Sequence, residues 1–250
     1  MKIGCICPTY KRPELLGRAI HCFLQQTYTD SCLIVLDDAG QYKSAVHDRW
    51  MLISTPNRYN SLGGKRQAGI DMLPRECDAY MAWDDDDVYW PNAIASVVAA
   101  LKLRPWAQAR VVYETVGPGK LQATEAFRIY KSKPDKVTWG YGGCWGYRLA
   151  EHRMVGGYED NPDRSSNDDL DLARKFFDTY GISGSSTPDS KPWYWYNRDP
   201  NVNKISTEGI HFWEKRGDIP CEAIESPPIG WNGPNVYDYQ IMDGVQPRPF

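Results

Sequence analysis

Apolar residues fall into two alternating patterns along the first hundred positions. Short unbroken runs, "KIGCIC", "CLIVLDD", "WMLIST" and "DAYMAWDD", read as strands buried on both faces. Between them apolar residues return at helical spacing. In "RPELLGRAIHCFLQQ", Leu15, Leu16, Ala19, Ile20, Phe23 and Leu24 share a face behind Pro13, which suits a first helical turn. "PNAIASVVAALKL" repeats this behind Pro91, with Ile94, Val97, Val98 and Leu101 on one side. In "SLGGKRQAGIDML", Ser61 is placed to cap a helix whose glycines let backbone approach a ligand closely. Strands alternating with helices predict a mostly parallel sheet covered on both faces.

The regularity fades after residue 107. "ARVVYETV" and "KLQATEAFRIY" are predicted strands around the turn "GPGK", and "TWGYGGCWGYR" is dense in glycine and aromatic residues. "SSNDDLDLARKFFDTYG" restores a helix, with Leu170, Ala173, Phe177 and Tyr180 expected inward. From Ser185 onward the density of Pro, Asn and aromatic residues predicts loops and short strands. A single domain over 1–250 is expected, with a regular half, 1–107, and a more variable half, 108–250.

Composition narrows the class. With a formal net charge of -3, the chain carries no basic field suited to a nucleic-acid backbone. Its 7 cysteines show no C-x-x-C spacing, which reads as buried thiols in a reducing compartment and as neither a disulfide framework nor a zinc site. The apolar run in "MKIGCICPTY" is too short for a signal peptide, and no segment approaches the roughly 18 apolar residues of a membrane span. A cytoplasmic location is expected.

Ligands of an open parallel sheet bind outside the carboxyl ends of its strands. Three predicted strands end in polar sets: Pro8-Thr9-Tyr10, Asp37-Asp38 and Asp84 to Asp87. Side by side, they would gather many carboxylates around one crevice, a costly arrangement unless a cation neutralises them. Mg²⁺ or Mn²⁺ suits such oxygen ligands, commonly through one or two carboxylates plus substrate phosphates. If the strand persists, Asp84 and Asp86 point one way and Asp85 and Asp87 the other. A run of acids at a strand end is, taken alone, more often a solvated turn; recurrence at successive strand ends favours the metal.

The same segments resemble the family-2 glycosyltransferases, whose fold is the Rossmann-like GT-A type: an α/β, mostly parallel sheet flanked by helices, with a less regular acceptor-binding part. "CICPTYKRPELLGRAIHCFLQQTYTDSCLIVLDDAG" resembles the opening of that family, "WDDDDVYWPN" its D-x-D segment and "SSNDDLDLARK" its E-D-x-D-L segment, in the family's order. The chain departs at Ala39-Gly40, where Gly-Ser is common, at Gln67, where Asn often follows the arginine, and at Asn167-Asp168-Asp169, where Glu-Asp is usual.

The resemblance implies that 1–107 binds a nucleotide sugar and 108–250 an acceptor. Pro8, Thr9, Tyr10 and Asp38 would hold the nucleoside. Arg66 would approach the nucleotide, with Lys65 competing for that role. Asp84 and Asp85 would reach the ribose or order the loop. Asp86 would bind the Mn²⁺ or Mg²⁺ that bridges the diphosphate, with Asp84 and His211 as further ligands, although a lone histidine more often serves structure. Asp169 would be the general base, with Asp168 as the alternative; acids in a first helical turn are also favoured by the helix dipole alone. Gly143 and Trp145 would form a floor under the sugars, and Trp193 and Trp195 an acceptor platform, though a packed hairpin and an edge strand would give the same strings.

The implied activity is inverting transfer of a sugar, from a UDP-sugar as the family most often uses, with dTDP- and GDP-sugars also open, to the hydroxyl of a glycan or other acceptor. A lipid-linked glycan, polysaccharide, protein or modified nucleobase all stay open as acceptor. Two rivals belong to other classes. A sugar-nucleotide nucleotidyltransferase would carry a Gly-rich basic loop after the first strand, which "CPTYKRPE" is not. A non-catalytic carbohydrate- or nucleotide-binding protein of the same fold would have no need to keep both "DDDD" and "NDDLD".

Overall fold

In this structure, a computed structural model of the chain, the described residues are 1–117, 120–125, 128–129, 137–138, 141–162, 168–181 and 192–196. Their elements run β1 (Lys2–Thr9), α1 (Pro13–Leu24), β2 (Ser31–Asp37), β3 (Ala45–Val46), β4 (Trp50–Ser54), α2 (Leu62–Asp71), β5 (Cys77–Ala82), β6 (Val88–Tyr89), α3 (Ala93–Leu101), β7 (Trp106–Gln108), β8 (Val111–Gly117), β9 (Lys120–Glu125), β10 (Arg128–Ile129), β11 (Val137–Thr138), β12 (Trp145–Arg148), α4 (Leu149–Met154), α5 (Asp168–Tyr180) and β13 (Tyr194–Tyr196).

Seven strands form the main sheet in the order β3-β4-β2-β1-β5-β12-β7. β4, β2, β1 and β5 are parallel neighbours, while β3 and β12 run antiparallel to β4 and β5. A smaller sheet, β6-β13-β8-β9, stands beside the acidic segment. The four unbroken apolar runs do form buried strands, because each lies inside the sheet with helices over it. On one face, Gly69 of α2 meets Ile6 and Leu36, Tyr80 hydrogen-bonds His152 of α4, and Tyr147 packs on Phe176 of α5 with ring centroids 4.6 Å apart. On the other, Gly146 lies against Val97 of α3, and Gln26 beyond α1 accepts from the Ile94 amide.

Ser61 caps α2 as expected, accepting from the Gly64 amide at 2.9 Å; its loss to alanine should cost about 1 kcal/mol. The α2 glycines, however, approach protein. A Cβ on Gly63 would stand 2.5 Å from the Glu159 carbonyl, and Gly64 abuts Asp160.

Helix α5 is rotated from its expected face. Its buried residues are Asp168, Leu172, Ala173 and Phe176, where the apolar pattern pointed to Leu170, Ala173, Phe177 and Tyr180. The cause is Asp168, turned inward onto a buried arginine. β12 and α4 were not anticipated; "WGYR" becomes a strand only through pairing with β5 and β7. Cys5, Cys7, Cys22, Cys32, Cys77 and Cys144 are free thiols. No helix among the described residues is long and apolar enough to cross a membrane.

Candidate active site

The strand order β2-β1-β5 sets three carboxyl ends side by side. At the end of β2 two adjacent acids do different work. Asp37 is wholly buried and ties the following turn, accepting from the Ala39 amide at 3.0 Å, the Gln41 amide at 3.1 Å and Ser54 Oγ at 2.7 Å. Asp38 is also buried and accepts from Lys65 Nζ at 2.6 Å and Arg58 Nη1 at 3.2 Å. Lys65 also donates to the Thr9 carbonyl at 2.6 Å, fastening β1 to β2. Arg58 lies over the Tyr10 ring, 3.9 Å from its centroid, and Tyr10 is 38% exposed. Pro8, Thr9, Tyr10 and Asp38 therefore share one rim, joined by two cations.

β5 ends at Ala82, and the four acids follow in a turn. Burial still alternates: Asp85 and Asp87 are buried, while Asp84 and Asp86 are more open. Each acid has a partner, and Asp85 and Asp86 share one. Arg66 Nη2 donates to Asp84 Oδ1 at 2.8 Å, and Thr9 Oγ1 to Asp85 Oδ2 at 2.8 Å. Arg12 Nη1 donates to both Asp85 Oδ1, at 3.1 Å, and Asp86 Oδ2, at 2.9 Å. Tyr194 donates to Asp87 Oδ2. Burial, with Asp85 and Asp84 close by, raises the Asp86 carboxyl to about 7 even though Arg12 opposes the shift.

The remaining acids come from the first turn of α5. Arg66, itself buried, reaches across to donate Nη1 to Asp168 Oδ2 at 2.9 Å. Asp169 Oδ1 accepts from the Leu170 amide at 2.8 Å, while Oδ2 lies over Gly142, where any Cβ would overlap it. Burial raises Asp169 to about 6; Arg66 opposes that shift, and Asp168 and Asp84 add to it. A Cβ on the neighbouring Gly143 would stand 2.6 Å from Asp87 Oδ2, 2.8 Å from Tyr194 Oη and 2.9 Å from Asp84 Oδ2. The Gly142–Cys144 turn is thus where the acid run and the α5 acids meet. Tyr89 secures it, accepting from the Asp84 amide at 2.8 Å and donating to the Gly143 carbonyl at 3.0 Å.

The aromatic candidates are sorted by burial. Trp145 is fully enclosed, its Nε1 donating to Gln108 Oε1 at 2.9 Å, and Trp193 is likewise buried. Neither face is available to a sugar, so both are corrected to core residues. Trp195 is partly exposed, and the neighbouring Tyr196 lies 4.8 Å from the Tyr141 ring. His211 and Asn167 lie outside the described residues. Three partners were missed in the sequence, Arg12, Arg58 and Tyr194, while Asp87 was counted there only as part of the acid run. Among the described residues, no group of three or more His, Cys, Asp or Glu is arranged to hold a metal ion.

Comparison with known proteins identifies the family and the fold. Residues 5–153 match the profile of Glycosyl transferase family 2. Over 110 residues the chain is 29% identical to the succinoglycan biosynthesis protein ExoW of Rhizobium meliloti (strain 1021), spanning 40% of this chain and only 34% of that protein. Among solved structures, S. aureus TarS 1-349 in complex with UDP-GlcNAc is similar with a TM-score of 0.56 at 14% identity, covering 80% of this chain and 59% of that one. The mannosyltransferase PcManGT from Pyrobaculum calidifontis, in complex with GDP-Man and Mn²⁺, is similar with a TM-score of 0.52 at 13% identity, covering 85% and 60%. At such identities these likenesses show the fold.

Proposed function

The chain belongs to glycosyl transferase family 2, and from that premise we propose that it is an inverting enzyme of GT-A fold that moves a sugar from a UDP-sugar to an acceptor hydroxyl, with Asp169 as base. One observation carries this reading: Asp169, with Asp84 and Asp87 of the acid run, converges on the Gly142–Gly143 turn, which has no side chain to keep them apart. The donors named for the similar structures, UDP-GlcNAc and GDP-Man, support a nucleotide sugar as ligand.

In this mechanism Tyr10 packs on the base and Asp38 accepts from it, with Arg58 and Lys65 orienting both. Thr9 and Arg12 hold Asp85, which orders the loop beneath the ribose. The acceptor hydroxyl gives its proton to Asp169 as its oxygen bonds to the anomeric carbon. The bond from that carbon to the diphosphate breaks on the opposite side, and the diphosphate leaves with the electron pair. A carboxyl raised to about 6 is a stronger base than an ordinary aspartate and is still ionised at neutral pH. Asp168 is already taken by Arg66, which leaves Asp169 the freer acid.

The residues also fit a hard divalent cation. Asp84 and Asp86 offer only oxygen, Gly143 leaves room beside Asp84 Oδ2, and the burial and neighbouring acids that raise Asp86 are what added positive charge offsets. Two carboxylates plus a diphosphate make a sufficient set for Mg²⁺ or Mn²⁺ without a third acid. Asp86 and Asp84 would hold the ion, which when bound supplies positive charge to the departing diphosphate.

We further place 1–250 in one domain whose later half selects the acceptor, and the enzyme in the cytoplasm, as free thiols suggest. The test is turnover of UDP-sugars followed by UDP release, with the linkage of the first product read by NMR. A β-linked product from an α-linked donor is expected; retention of configuration would overturn the single displacement.

A further inference from the structure

In the proposed mechanism Arg12 serves only to hold Asp85, although it also reaches Asp86. It stands between β1 and α1, directly after Lys11, whose φ of 54° is the only positive value at a non-glycine among the described residues. Such backbone carries strain and survives where the surroundings hold it. What it achieves here is aim: one nitrogen, Nη1, lies 3.1 Å from Asp85 Oδ1 and 2.9 Å from Asp86 Oδ2. Asp86 is meanwhile anchored through its backbone, since Arg18 Nη2 donates to its carbonyl at 2.7 Å. The Asp86 side chain can therefore change partners without moving the turn. The Arg12 side chain is 16% exposed against 5% for Arg66, so Arg12 lies nearer the surface of the two.

We propose that Arg12 is a shared counter-ion: it holds Asp85 and Asp86 until a donor binds, and passes to the donor's diphosphate when the donor and its cation arrive. This rests on the donor reading given above. A guanidinium bonded to Asp86 repels a divalent ion and occupies one of its ligand oxygens. The same guanidinium matches phosphate oxygens in shape and charge. Arg12 therefore opposes the cation on its own and favours the nucleotide. Its removal must move the two affinities in opposite directions, which a merely structural role would not do.

The test compares wild type with Arg12→Met and Arg12→Lys. Mn²⁺ is titrated alone, followed by electron paramagnetic resonance, and UDP is titrated calorimetrically at saturating Mn²⁺. In Arg12→Met, Mn²⁺ alone should bind about tenfold tighter or more and UDP about tenfold weaker or more, the scale of one charge-assisted hydrogen bond. Arg12→Lys, keeping the charge without the fork, should fall between. Both affinities shifting the same way, or neither shifting, would overturn the proposal. Failure of the wild type to bind UDP at any Mn²⁺ concentration would remove the donor reading, and the counter-ion role with it.

Discussion

Two arginines grip the same run of acids from opposite sides, and they do so differently. Arg66 is buried and gives each terminal nitrogen to an acid from a separate segment, Asp84 and Asp168. Arg12 lies nearer the surface and shares one nitrogen between neighbours, Asp85 and Asp86. Removing the buried Arg66 guanidinium strands Asp168 away from water and leaves Asp84 without its cation. A guanidinium nearer the surface can yield its acid to a cation and turn to a phosphate. The contrast separates the part of the site that is architecture from the part that exchanges partners.

The largest expected effect lies on the Arg66 side. Asp169→Asn should lower kcat by about 10²- to 10⁴-fold with an unchanged folding midpoint, because it removes the base and no ion pair. If Asp168→Asn abolishes turnover while Asp169→Asn does not, the paired acid is the base and the contrast fails. Next comes stability: Arg66→Met should destabilise the fold by about 3–5 kcal/mol in urea titrations, the scale for breaking a buried pair, and Arg12→Met by clearly less. Equal losses would erase the distinction. Gly142→Ala should then cost about 10²-fold in turnover by displacing the Asp169 carboxylate, the penalty of roughly 1 Å of misplacement.

The smallest effect is in pH. Asp169 must be ionised to act, and its carboxyl is raised to about 6, so the rate should hold at neutral pH and drop below that value by about tenfold per unit. Asp168→Asn removes a like charge and frees Arg66 to face Asp169, so both effects should move this acid limb to lower pH. A limb that stays in place would show that Asp168 does not act on Asp169.

Much of the crevice was legible in the chain. β1, β2 and β5 announced themselves because strands buried on both faces must be apolar throughout, and their polar ends followed directly. What escaped depends on distance along the chain. Asp86 meets Arg12 across 74 positions and Asp168 meets Arg66 across 102, and no local pattern encodes such pairs. The Arg66 pair also rotated α5, since an inward acid breaks the rule that apolar residues mark the buried face. Trp145 and Trp193 failed for another reason: an aromatic reads the same in a core as on a sugar platform until its neighbours are known.

The most direct measurement is the thermal midpoint of the protein with UDP, GDP and dTDP, each with and without Mn²⁺. A ligand that binds only the folded chain stabilises it by about 2.7 kcal/mol at a hundred times its Kd. The account predicts that UDP raises the midpoint and does so only when Mn²⁺ is present. A midpoint unmoved by every nucleotide, with or without the ion, would contradict it.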